Sequence, residues 1–94
     1  MEQQQIYQHI KQLITEGKTV EAIKQLDDVI ESSTLPNDYL YYLRGNAFRK
    51  RNDWPSAINN YLKAMELNPN SPASEAYKIA IDIQDFYNKD MYNQ

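Results

Sequence analysis

Two stretches of this chain superpose when shifted by 35 residues, Gly17 falling on Asn52, Ala22 on Ala57 and Leu26 on Tyr61. Self-similarity at such a period marks a small supersecondary unit that buries its apolar face by stacking on a copy of itself. Each stretch also carries apolar residues at helical spacing. Ile6, Tyr7, Ile10, Leu13 and Ile14 lay one stripe along a first helix, and Gly17 supplies its stop. Thr19 is the expected cap of a second helix, whose stripe is Val20, Ile23, Leu26, Val29 and Ile30 and which ends near Glu31. The run Ser32, Ser33, Thr34, Leu35, Pro36, Asn37 then forms a turn, because its residues compete with helical hydrogen bonding or cannot continue it.

The second stretch has the same build. A third helix runs from about Asp38 to Arg51, with Tyr39, Tyr41, Tyr42, Leu43, Ala47 and Phe48 apolar or aromatic and Arg49, Lys50 and Arg51 at its carbonyl end, where cations suit the helix dipole. Asp53 caps a fourth helix, Pro55 is tolerated in its first turn, and Trp54, Ala57, Ile58, Tyr61, Leu62, Met65 and Leu67 supply its face. Asn68, Pro69 and Asn70 break the chain again. Ser71 as cap and Pro72 as first helical residue open a fifth helix carrying Ala76, Ile79, Ala80, Ile83, Phe86 and Tyr87. At 94 residues the chain fits one domain, and no strand is expected.

Tyr41, Gly45, Phe48, Ala57, Tyr61, Ala64 and Pro69 stand at the spacing of the tetratricopeptide repeat (TPR) signature, and the chain resembles that family. Gly45 and Ala57 are small where two antiparallel helices approach closely, and the aromatics fill the gaps beside them. Arg44 departs from the pattern, which usually has leucine there, and the first stretch keeps only Gly17, Ala22 and a shifted Pro36. The resemblance implies an all-α fold of antiparallel helix pairs, a right-handed superhelical α-solenoid fragment. Its first repeat would cover about 3–36, its second about 38–71, a C-terminal capping helix about 72–88 and a tail 89–94. Such a capping helix covers the apolar face that the last repeat would otherwise present to water. The closing segment DFYNKDMYNQ is similar to the end of very short bacterial two-repeat TPR proteins.

What the chain does is constrained mainly by what it lacks. With no cysteine there is neither a disulfide framework nor a thiolate metal site. A single histidine, His9, forms no zinc-binding pair, and Asp27, Asp28 and Glu31 lack the spacing of a calcium loop and form a solvated face. No phosphate loop or nucleophile motif is present, so neither an enzymatic activity nor a cofactor is expected. A net charge of -3 argues against nucleic acid. The amino terminus shows no signal or membrane-spanning stretch, which makes a cytoplasmic location the default and a membrane an unexpected partner.

The resemblance implies a partner-binding groove on the concave face, formed by the first helix of each pair. Carrying over the family's register gives Gln4, Tyr7 and Lys11 from helix one and Tyr39, Tyr42, Asn46, Arg49 and Lys50 from helix three. Asn46 would hold a peptide backbone through its amide, Arg49 and Lys50 would meet a carboxylate, and the tyrosines would offer broad contact surface. The expected partner is another protein or peptide, taken as an extended segment or a helix. The alternative is a structural subunit that self-associates, for example as a homodimer, through its tyrosine-rich surface or through Tyr87, Met91 and Tyr92 in the tail.

Overall fold

The computed structural model describes residues 2–34 and 37–92, with side chains from 3 to 34 and from 37 to 86. Among them are five helices and no strand: α1 (Glu2–Thr15), α2 (Thr19–Ser32), α3 (Asp38–Lys50), α4 (Trp54–Leu67) and α5 (Ala73–Tyr92). Consecutive helices pack as antiparallel neighbours, and α1 also touches α3. The radius of gyration is 13.9 Å, above the roughly 12 Å of a rounded domain of this length. The molecule is an elongated slab with α1, α3 and α5 along one layer.

The shift of 35 residues has a structural counterpart in the turns inside the two pairs. Gly17 has φ 81° and Asn52 has φ 63°, both left-handed. At the first turn, Lys18 N donates to Leu13 O at 2.8 Å and Gly17 N to Ile14 O at 3.0 Å. At the second, Asp53 N donates to Phe48 O and Asn52 N to Arg49 O, both at 2.9 Å. These are the paired bonds of a Schellman ending, in which glycine or asparagine takes the left-handed position at least cost.

The helix starts differ from one another. Asp53 Oδ1 accepts from Ser56 N at 3.3 Å and caps α4. The equivalent residue before α2 is Lys18, which has no side-chain acceptor and makes no capping bond. Thr19 is therefore not the cap expected of it; it is the first residue of α2 and is buried. Asn37 caps α3 by accepting from Tyr39 N at 2.8 Å. Ser71 Oγ accepts from Ala73 N at 3.1 Å, so Pro72 lies just before α5 instead of opening it. Leu35 and Pro36 of the expected turn lie outside the described residues.

Two linked clusters make the core. Ile10, Leu13, Ala22, Leu26, Leu40 and Leu43 join α1, α2 and α3. Ala57, Tyr61, Ala64, Ala73, Ala76 and Ala80 join α4 to α5, and Tyr42 packs against both clusters. The alanines bring α5 close to α4, which leaves Ile79 at the margin and exposed. Ile6, Val20, Leu62 and Phe86 are also exposed, contrary to the stripes drawn from sequence. At about 100° per residue, Val20 and Leu62 each lie about 200° round the helix from a buried alanine two residues on, Ala22 or Ala64. Ile6 precedes the first buried residue of α1 and Phe86 follows the last of α5. α5 continues to Tyr92, past the expected end near 88, and the side chains of Tyr87, Met91 and Tyr92 lie outside those described.

Arg44, the departure from the repeat pattern, ties two helices together. Its Nε stands 2.9 Å from Asp27 Oδ1 on α2, and its guanidinium lies 5.7 Å from the centre of the Phe48 ring. Its Nη1 also donates to Asn60 Oδ1 on α4 at 3.4 Å. Asp27 is thus a partner of α3, while Asp28 and Glu31 stay on the exposed face expected of them.

Candidate functional site

The groove begins at a run of aromatic rings. The Tyr7 and Tyr39 centroids are 4.8 Å apart, Tyr39 and Tyr42 are 5.6 Å apart, and Tyr42 and Tyr61 are 6.3 Å apart, all tilted. Such tilted pairs suit the ring quadrupoles and fix the rings in place. Three ladder members come from α1 and α3; the fourth, Tyr61, reaches in from α4 and is fully buried.

Polar contacts hold both ends of the ladder. The Tyr7 hydroxyl accepts from Asn37 Nδ2 at 2.7 Å and from Gln3 Nε2 at 2.8 Å, so the residue that caps α3 also fastens α1 to it. At the other end the Tyr61 hydroxyl donates to Asn46 Oδ1 at 2.6 Å. Asn46 therefore has its carbonyl engaged and its Nδ2 hydrogens left to donate. Burial pushes the Tyr61 phenol above its ordinary value, and the charge and hydrogen bond of Arg49 pull it the other way. The Arg49 guanidinium also lies 5.7 Å from the centre of the Trp54 ring, a cation–π arrangement that steadies a long side chain.

Three hollows follow one another along this face. The first, about 430 Å³, is lined by Gln4, Tyr7, Lys11 and Tyr39, together with Gln3 and Gln8. A middle one of about 180 Å³ shares Lys11 and Tyr39 with it and adds Ile14, Tyr42 and Asn46. The third, about 560 Å³, shares Ile14, Tyr42 and Asn46 with the middle one and is completed by Arg49, Lys50 and Trp54 and by Ala76 and Ile83 of α5. The shared walls make one groove, and all eight residues named from the sequence line it. A separate hollow of about 210 Å³, with Ile30, Leu40, Tyr41 and Lys63 among its walls, shares no residue with the groove.

Among the lining residues that the sequence did not point to are Ile14, Trp54, Ala76 and Ile83. Ile14 is seven residues beyond Tyr7 and so on the same helix face, a register signal that was available. Ala76 and Ile83 have the same spacing on α5, but only the packed fold shows that α5 walls the groove as well as covering α4. Among the described residues there is no group of three or more His, Asp or Glu that could hold a metal ion, and no helix is long and apolar enough to cross a membrane.

A groove walled by alternate helices of stacked antiparallel pairs is the architecture of a helical-repeat protein. The chain belongs to the TPR family: the TPR repeat profile matches residues 45–74. The chain is also similar to Bacteroides fragilis protein BF1650, known from a solution NMR structure. The two are 49% identical, the match covers 93% of this chain and 88% of that one, and the TM-score is 0.82. No protein among the curated ones matches. TPR domains generally act as protein–protein interaction modules and are generally non-catalytic.

Proposed function

We propose that this protein binds an extended segment or helix of another protein in the groove between α1, α3 and α5. The observation that carries the proposal is the continuity of the three hollows, with their fixed rings and their cationic end. In this reading α1–α2 and α3–α4 act as two stacked repeats and α5 both closes the array and forms one wall. Gln4, Tyr7, Lys11, Tyr39, Tyr42, Asn46, Arg49 and Lys50 are the contact residues. Rigid aromatic surface beside unpaired donors favours binding because little side-chain freedom is lost on contact.

The test is capture of partners from lysate of the native cell by wild type and by a Lys11→Glu, Lys50→Glu double variant. Both lysines are exposed, so folding should survive, and circular dichroism checks it. A partner captured by wild type and lost by the variant supports the groove. A partner held equally by both moves the interface elsewhere, and recovery of the protein alone favours self-association, which sedimentation would then measure.

A further inference from the structure

We propose that the groove selects an extended acidic segment in which a proline and a carboxylate stand about three residues apart, an inference that rests on the groove reading above. The first observation is a segregation of charge. The chain has 13 acidic residues against 10 Lys and Arg. Among the described residues no Asp or Glu lines any of the three hollows, whereas Lys11, Arg49 and Lys50 do. An acidic protein thus presents a cationic groove, complementary to a segment of opposite sign.

The second observation is the aromatic ladder. Tyr7, Tyr39 and Tyr42 line the groove with ring centroids 4.8 and 5.6 Å apart and neighbouring rings tilted against each other. Fixed aromatic rings in a groove are the surface on which polyproline II segments dock, because such a segment is extended before it binds and loses little freedom. That saving matters in a groove this short. Asn46 Nδ2 lies between the rings and the cations on α3 and can donate to a carbonyl of the segment, since its own carbonyl is held by Tyr61.

The spacing follows from helix geometry. Tyr42 and Arg49 are seven residues apart on α3, about 10 Å along its axis at ~1.5 Å per residue. A polyproline II segment rises ~3.1 Å per residue, so about three residues span that distance. A proline packed on Tyr39 and Tyr42 therefore places a carboxylate three positions away at Arg49 and Lys50.

Selection of random peptides displayed on phage against the full chain tests this. Enriched peptides are made with a fluorescent label and measured by anisotropy against wild type, Arg49→Gln and Lys50→Gln, and their sites are mapped by amide shifts on α1 and α3. Lys50 is exposed, so Lys50→Gln keeps the test valid if Arg49→Gln fails to fold. The expected result is enrichment of proline and Asp or Glu at that separation. Binding should weaken about tenfold when the peptide acid is made an amide or a groove cation is removed, and should fall as salt rises. Peptides that map to α1 and α3 without the acid or the proline would overturn this selectivity and leave the groove reading standing. Peptides that map elsewhere, or no enrichment at all, would sink both.

Discussion

The ring of Tyr61 occupies the space that a side chain at Gly45 would need: a Cβ there would stand 2.5 Å from Tyr61 Cε1, 2.6 Å from Cδ1 and 3.2 Å from Ala57 O. Gly45 is therefore retained in the middle of a helix despite the ~1 kcal/mol that glycine costs there relative to alanine. Because Tyr61 is wholly buried, the ring has nowhere cheap to go. Gly45→Ala should destabilise the protein by about 1–3 kcal/mol net of its better helix propensity. Urea unfolding measures this, and an equal or higher midpoint would show that helix propensity outweighs the crowding.

Tyr61→Phe keeps the ring and removes the hydrogen bond to Asn46. The expected loss is about 1 kcal/mol, seen as a melting temperature lower by roughly 4–8 °C. The phenol also makes stability depend on pH. Burial raises its folded-state value, so between the unfolded value and the raised one the folded chain binds more protons than the unfolded chain. The Tyr61 contribution is complete below about pH 10 and is lost as pH rises beyond it. Thermal melts across that range should fall less steeply for Tyr61→Phe; identical slopes would mean that this phenol does not titrate with unfolding.

Asn37 does two things at once, capping α3 through Oδ1 and donating to Tyr7 through Nδ2. Asn37→Ala removes both and should cost about 1–2 kcal/mol. Asn37→Asp preserves the cap acceptor and loses the donor, so it should fall between wild type and Asn37→Ala in chemical denaturation. Equal losses for the two variants would assign the whole effect to the contact with Tyr7.

A chain ended at residue 72 lacks the helix whose Ala73, Ala76 and Ala80 pack on Ala57, Tyr61 and Ala64. Exposing this face should unfold or aggregate the protein, since a helix array needs its last apolar face covered. A truncated form that stays monomeric in sedimentation and melts cooperatively would show that α4 needs no cover.

Much of this arrangement was legible from local signals. Gly17 and Asn52 announced equivalent turns because few residues take a left-handed φ, and the Asp53 cap has a local cause that spacing reveals. The close approach of α3 to α4 was legible because Gly45 and Ala57 are small for a reason that the repeat signature carries, but Leu40, buried in the core, was missing from the α3 face drawn from the sequence. What escaped was set by tertiary contact. Thr19 has the chemistry of a cap, yet the Schellman ending at Gly17 starts α2 one residue earlier than a capping Thr19 would allow. Val20 and Leu62 are apolar but fall on the outer face. Arg44 could be recognised as a departure, but its partners Asp27 and Asn60 are distant in sequence and no period connects them.

The hydrogen bond from Tyr61 to Asn46 joins a residue of the outer helix to one that lines the groove. Whatever engages the Asn46 amide also bears on the seating of α4, so occupancy of the groove and integrity of the helix pair share one free-energy balance. A ligand held through Asn46 in the proposed groove would accordingly raise the melting temperature, because it would bind only the folded chain. If the groove is the binding site proposed above, a substitution at Tyr61, which lines none of the three hollows, would tune affinity through Asn46 alone.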